Sequence, residues 1–184
     1  MTGMTALQQW ERCPEYIDFG DRKQTVRLLR QKDRYAVRGN NAAQELGEVE
    51  IRLPGDDISI IRGTPPLGGA SDYEILPVYA SARDSTPAVV TQRIFVRLEE
   101  NTPFDKVRES VEALNFRIDD IPAHAPHCAW LEPESGRVDD SLSKLALLRA
   151  LPRVVNAEPQ VLRPRDWKHP QGTGRPPSST NSEN

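Results

Sequence analysis

An α+β fold is what this sequence predicts, and two observations carry the prediction. Residues 89–165 follow the order strand, helix, strand, strand, helix, strand, because their apolar residues change between alternate and helical spacing. Residues 15–85 instead contain short apolar runs separated by turn residues, which is typical of strands. Two helices on one face of a four-stranded antiparallel sheet form the ferredoxin-like arrangement. The sequence therefore predicts a ferredoxin-like βαββαβ domain preceded by a small β-rich region.

The composition excludes some classes of function before any motif is considered. The chain has 184 residues, a net charge of −3, and 28% charged residues. This charge gives no strong field that would attract nucleic acid or a membrane surface. No apolar run reaches the roughly 18 residues of a membrane span, and the start of the chain lacks the pattern of a secretory signal. A cytoplasmic location is therefore expected, with residues 1–14 as an N-terminal arm.

The β-rich region, residues 15–85, is predicted from short strands and their turns. The runs "YIDF" and "TVRLLR" flank "GDRK", which indicates a hairpin, and "RYAVRG", "VEIRL", "DISIIRG" and "YEILPVYAS" continue the extended pattern. The segment "NNAAQELG" predicts a short helix that Gly47 ends. The predicted core of this region consists of Tyr16, Val26, Leu28, Tyr35, Val37, Ile75 and Val78.

The second region begins with a strand that has one buried face. Ile94, Val96 and Leu98 alternate with polar residues, so these three are expected in the core. Phe95 then points to the opposite face of the sheet. That face is open to a partner or is covered by the β-rich region, and the sequence leaves both alternatives open.

Two helices follow in this region. Thr102 is a suitable N-cap, Pro103 fits the first helical position, and an apolar stripe runs through the turns that follow. The stripe consists of Phe104, Val107, Val111 and Leu114. A second helix over residues 141–150 carries Leu142, Leu145 and Leu148, and Pro152 ends it. The run "RVVNAEPQVLR" forms the last predicted strand, and residues 166–184, rich in Pro, Gly, Ser and Asn, are predicted to be a disordered tail.

The candidate metal-binding, catalytic and RNA-binding motifs of the sequence are each better explained as structural features. The cluster "HAPHC", which contains His124 and Cys128, matches no usual zinc spacing and is better explained as a loop. Cys13 and Cys128 are expected as two reduced thiols rather than one disulfide. No serine stands in a nucleophile-type turn, and "RIFVRL" has too few aromatic residues for an RNA-binding sheet. No catalytic residue, enzymatic activity, cofactor, metal or nucleic-acid partner is predicted.

Two segments carry a resemblance to a known family. These are "RIFVRLEENTPFDKVRESVEALNFRI", residues 93–118, and "SKLALLRALPRVVNAEPQVLR", residues 143–163. They resemble the propeptide domain of subtilisin-like serine proteases, a peptidase inhibitor family, over about 75 residues. Arg153 departs from the pattern, since glycine is common at that position. The family's protease domain does not follow in this sequence, so the chain resembles a stand-alone propeptide.

The resemblance implies a function in trans on a separately encoded subtilisin-like serine protease, as inhibitor, folding chaperone or both. Family propeptides pack a sheet face on the enzyme and place their C-terminal extension in the substrate cleft. By this comparison Val161, Leu162, Arg163, Pro164 and Arg165 are the expected cleft residues. The expected surface contacts are Phe95, Trp130 and Glu158. The alternative is a non-inhibitory interaction module that uses the same sheet to bind another protein or to dimerise, and the oligomeric state is left open.

Overall fold

A computed structural model describes residues 4–20, 25–39, 42–53, 55, 57–67 and 73–164. The "GDRK" turn after Gly20, Arg165 and the predicted tail, residues 166–184, lie outside these ranges.

The described elements are mostly strands. The strands are β1 Tyr16–Gly20, β2 Thr25–Arg38, β3 Val49–Leu53, β4 Ile58–Arg62, β5 Glu74–Ser81, β6 Ala88–Leu98, β7 Phe116–Asp120, β8 Cys128–Pro133 and β9 Val154–Leu162. The helices are α1 Ala6–Arg12, α2 Ala42–Leu46, a 3₁₀ turn Phe104–Lys106, α3 Arg108–Ala113, α4 Val138–Ser143 and α5 Leu145–Ala150. Within the described residues, no helix is both long and apolar enough to span a membrane.

The predicted fold class is wrong, because the strands of both regions join one sheet. The nine described strands follow the order β3-β4-β2-β5-β6-β8-β7, with β1 paired to β2 and β9 paired to β6, and every pairing is antiparallel. The structure is therefore mostly antiparallel β rather than a compact ferredoxin-like βαββαβ unit. The physical reason lies in β6, whose Val89 pairs with Val78 of β5 on one side and with Leu162 of β9 on the other.

The sheet is continuous across the boundary that the sequence predicts. Residues 86–88 lead from the loop after β5 into β6, and a register shift between Val90 and Ile94 separates the two ends of β6. The first end pairs with β5 and the second end with β8. The domain limits at residues 85 and 89 stay a prediction.

Three hydrophobic clusters hold the sheet. The first joins β1–β6 to α4 through buried residues such as Leu28, Val78 and Leu142. The second packs β6–β9 against α3 and α5, and it contains Ile94, Val96, Leu98 and the predicted helical stripe. The third lies around Tyr35 and Val37, against α1 and α2. The predicted burial is confirmed for most of these strand and helix residues. Ile75 and Leu114 are only partly buried, and two positions of the β1–β2 hairpin are exposed.

Tyr16 and Val26 are the wrong predictions for the core, since they are 50% and 45% exposed. Tyr16 lies opposite Leu29, which is also exposed, and the Arg27 guanidinium stacks 4.1 Å from the Tyr16 ring centre. The hairpin therefore turns one apolar side chain outward and covers it with a cation. Val26 lies near the end of the hairpin, where few neighbouring strands remain.

The helices are shorter and more divided than the sequence predicts. Thr102 does not begin an α-helix, since Pro103 is extended and a 3₁₀ turn follows before α3 begins at Arg108. The predicted helix over residues 141–150 begins earlier, at Val138, and breaks at Lys144. The short helix before Gly47 is confirmed. Gly47 has a φ of 156°, and a Cβ there would lie 2.9 Å from Ile61 Cγ2, so glycine is required.

Candidate functional site

One face of the C-terminal strands has no layer over it in the described part of the chain. Ile94, Val96 and Leu98 face α3 and α5, so the residues between them face the other way. Phe95 lies directly between Trp130 of β8 and Glu158 of β9 in the sheet register. The strands of the β-rich region continue the same sheet beyond β5. We call Arg93, Phe95, Trp130, Glu132 and Glu158 the aromatic face.

The centre of the aromatic face is a pair of rings. The ring centres of Phe95 and Trp130 are 5.1 Å apart at an interplanar angle of 56°, a tilted geometry that favours aromatic attraction. The Arg93 guanidinium lies 4.9 Å from the Trp130 ring centre, within range of a cation–π interaction. Both aromatic side chains are half-buried and belong to none of the three hydrophobic clusters. They are held in place without being enclosed.

Charged side chains surround this pair. Arg93 forms an ion pair with Asp119 and lies 3.8 Å from Glu132, which also pairs with Arg117 at 2.5 Å. On the other side, the Asn156 amide donates a hydrogen bond of 2.7 Å to Glu158 Oε1. An apolar centre with a polar rim is the usual anatomy of a protein interface. The three residues predicted for surface contact, Phe95, Trp130 and Glu158, are therefore brought together by the sheet.

The predicted cleft residues lie in a different environment. Val161 pairs with Val90 and Leu162 pairs with Val89, so both are part of β9 rather than of a free extension. Their side chains are partly buried and pack against the first hydrophobic cluster. Arg163 and Pro164 follow the strand, and Arg165 lies outside the described residues. For this segment to enter a cleft, the end of β9 must first separate from β6.

Polar contacts also hold the end of β9. The hydroxyl of Thr91 donates a 2.8 Å hydrogen bond to Gln160 Oε1. The Arg163 guanidinium lies 3.6 Å from the Asp84 carboxylate. Arg163 is 40% exposed, so this long ion pair contributes little by itself. The burial of Val161 and Leu162 is the larger obstacle to separation.

Arg149 holds the outer edge of β9, and nothing in the sequence pattern indicated it. Its Nε donates to the carbonyl of Ala157 at 2.9 Å, and its Nη2 donates to the carbonyl of Asp18 in β1 at 2.8 Å. The Ala157 carbonyl therefore points away from β6, and Pro159, two residues on, has no N–H to offer at the same edge. These features protect an edge strand from pairing with a further strand. For this protected edge, though not for Arg149, Pro159 within a strand was a sequence signal.

The buried groups of the N-terminal half are structural. Burial, and to a smaller extent the nearby Asp139, raise the pKa of Cys13 to about 12. Burial also raises the pKa of Tyr79, whose hydroxyl donates a 2.8 Å hydrogen bond to the carbonyl of Pro14. Cys13 and Cys128 are both free and buried. In the described part of the chain, no three His, Cys, Asp or Glu side chains group as they would around a metal ion.

Comparisons with family models, with curated proteins and with solved structures find no match to this chain.

Proposed function

We propose that this protein binds a separately encoded subtilisin-like serine protease in trans, as an inhibitor, a folding chaperone or both. The aromatic face is the proposed contact surface, and the segment from Val161 to Arg165 is the proposed ligand of the substrate cleft. The cytoplasmic location that the sequence predicts is part of the same proposal.

The observation that carries the proposal is the uncovered Phe95–Trp130 pair with its charged rim. Large aromatic side chains at the centre of a patch, with polar groups around them, are enriched among residues that dominate binding energy. The resemblance of residues 93–118 and 143–163 to subtilase propeptides indicates a subtilisin-like protease as the partner. The resembling segments include Phe95 itself and Glu158, which lies opposite Phe95 in the sheet register.

Inhibition requires one further step in this proposal. Leu162 enters the cleft only after the end of β9 separates from Val89 and Val90, so binding has two stages. The aromatic face docks first, and the cleft segment follows. An extended segment can then pair with strands of the cleft by β-augmentation. Because separation of the strand end opposes the second stage, inhibition is expected to develop more slowly than binding.

The test measures binding and inhibition separately with a purified subtilase. Phe95→Ala and Trp130→Ala are expected to weaken binding at least tenfold, since central aromatic residues are typical hot spots. Val155→Ala is a matched control, because Val155 is exposed and lies outside the aromatic face. If the native chain gives no complex, no inhibition and no improvement in refolding of the protease, the proposal fails.

Truncation tests the role of the cleft segment. Removal of residues 163–184 leaves β9 whole, whereas removal of residues 161–184 also deletes two partly buried core residues. The first truncation is therefore the informative one, and it should reduce inhibition more than binding. Equal loss of both would argue against a cleft-bound segment.

The second candidate is a non-inhibitory interaction module that uses the aromatic face for another protein or for dimerisation. The observation that favours it is the docked end of β9, which leaves no free cleft ligand among the described residues. Size measurement in solution separates this candidate from the first. A dimer that Trp130→Ala dissociates would support the module and occupy the surface that a protease needs.

A further inference from the structure

A second surface lies where β2 and β5 stop pairing. Leu28 and Ser81 form the last residue pair between these strands, and β2 continues beyond it over residues 25–27, which pair with β1. The loop after β5 turns away at the same place. The space between them is a cleft of about 480 Å³ that Arg163 closes from the end of β9. Such a volume suits a small ligand.

The charge of this cleft is opposite to that of the whole chain. Arg27, Arg83 and Arg163 line it, and Asp84 is the acidic residue among the lining side chains. The net charge of the protein is −3, so a surplus of cations here is local. We call these four residues, with Ser81, the arginine cleft.

The cations of the arginine cleft are incompletely neutralised. Arg27 donates two hydrogen bonds, of 2.9 and 3.2 Å, to Asp18, so its charge is already paired. Arg163 reaches Asp84 at only 3.6 Å. Arg83 is exposed and has no ion pair within the described residues. Two guanidinium groups therefore have donors available for an incoming anion.

The loop that carries Arg83 is held in one shape. Ser81 Oγ accepts a hydrogen bond of 2.8 Å from the Asp84 amide, and Asp84 Oδ1 accepts one of 2.9 Å from the Thr86 amide. The hydrogen bonding from Thr86 lowers the pKa of Asp84, and Arg163 lowers it further. The Asp84 carboxylate already accepts a hydrogen bond from the Thr86 amide and lies 3.6 Å from Arg163, so it neutralises the Arg163 charge only in part. A preorganised loop reduces the entropy lost when a ligand binds.

We propose that the arginine cleft binds a phosphate group, either as inorganic phosphate or on a small phosphate monoester. Guanidinium groups bind phosphate oxygens through paired hydrogen bonds. Two guanidinium groups carry two positive charges, so they match a dianionic phosphate better than they match a single carboxylate. Val26, 45% exposed at the wall of the cleft, gives an apolar contact for the remainder of a monoester. The site is separate from the aromatic face, and it shares Arg163 with the segment proposed for the substrate cleft.

The test is a titration of the whole chain with inorganic phosphate, followed by NMR at constant ionic strength. Saturable shifts are expected at Ser81, Arg83, Asp84 and Arg163, and chloride at equal ionic strength should not produce them. O-phosphoserine and succinate form the other two arms. Saturation by either phosphate compound supports the proposal, and their relative affinities identify the favoured form. Shifts that rise linearly, or tighter binding of succinate than of both phosphate compounds, would overturn it.

Variants locate the binding. The double variant Arg83→Gln/Arg163→Gln is expected to weaken phosphate binding by tenfold or more, because it removes two charge-assisted hydrogen-bonding groups. Arg12→Gln is the matched control, since Arg12 is exposed on α1 and does not line the cleft. Asp84→Asn keeps the acceptor for Thr86 and removes the competing charge, so it should strengthen binding severalfold. Unchanged affinity in the double variant, or weaker binding in Asp84→Asn, would contradict the proposal.

Discussion

The N-terminal and C-terminal strands of the sheet differ in how many of their faces are buried. In the N-terminal part, neighbouring residues of one strand enter different clusters: Ala36 belongs to the first, whereas Tyr35 and Val37 belong to the third. Both faces are therefore covered along β4 and along β2 at residues 35–37. In the C-terminal part, α3 and α5 cover one face, and the Phe95–Trp130 pair occupies the other. The same sheet thus has a closed end and an open end, and a protein partner is expected at the open one.

The largest expected difference between the two ends is in thiol reactivity. Cys13 lies in the first cluster with a pKa of about 12, well above the ordinary value of 9.0. Its thiolate fraction at pH 8 is therefore far lower than that of an ordinary thiol. Burial also raises the pKa of Cys128, which lies in β8 two residues before Trp130. Cys128 should react faster with a disulfide reagent in the native protein.

The measurement uses Cys13→Ser and Cys128→Ser, so that each variant reports on one thiol. The unfolded chains provide the control, since both thiols should then react at similar rates. If Cys13 in the native protein reacts with the reagent as fast as Cys128, the division of the sheet into a closed and an open end is contradicted.

The next largest difference is in the free energy of unfolding. Ile61→Ala opens a cavity in the third cluster, on the covered second face of β4, and should destabilise the protein by about 3 kcal/mol. Phe95→Ala removes a larger side chain from the open face and is expected to lower stability by about 1 kcal/mol, mainly through the lost aromatic contact. Urea unfolding gives both values. A larger loss for Phe95→Ala than for Ile61→Ala would show that the second face of the C-terminal strands is closed as well.

A smaller effect is expected where the two ends meet. Leu162→Ala removes a partly buried side chain that joins β9 to the first cluster, and it should reduce stability by about 1–2 kcal/mol. Leu147→Ala is the control, because Leu147 is 53% exposed on α5. Amide hydrogen exchange at Leu162 and Val89 should become faster in the first variant. Identical exchange in both variants would mean that the Leu162 side chain does not hold the strand end.

The smallest effect is expected at the rim of the open face. Arg93→Gln loses the contact with the Trp130 ring and the ion pair with Asp119, for an expected loss of about 0.5–1 kcal/mol in stability. The tryptophan fluorescence spectrum should change clearly, whereas the urea midpoint should change little. A loss above 3 kcal/mol would identify Arg93 as a buried structural ion rather than a rim residue.

Features with a local period were predictable from the sequence. The alternation of Ile94, Val96 and Leu98 specified which face of β6 is buried, and the stripe through Val107 and Val111 specified the buried side of α3. The apolar periods depend on residues two to four positions apart, so a short stretch of chain contains the whole signal. The position of Phe95 on the other face followed from the same alternation. Its aromatic partner could be listed as a candidate, but their contact could not.

Predictions failed where burial depends on a distant segment. Tyr16 and Val26 alternate like core residues, yet too few strands return to cover their side of the hairpin. The helix predicted from Thr102 begins later, because the extended backbone of Pro103 and the 3₁₀ turn precede α3. The sequence places Val161 and Leu162 in an extended run, and no local signal shows whether such a run is free or paired.

The sequence by itself determined the strand character of most segments, the inward face of β6, and the helical stripes. Tertiary structure alone decided that all the strands form one sheet, that the end of β9 is paired with β6, and that Arg149 joins β9 to β1. The physical reason is the range of the interactions. Backbone preferences and periodic burial act between near neighbours, whereas strand pairing depends on which distant segment competes best for the same hydrogen-bonding edge.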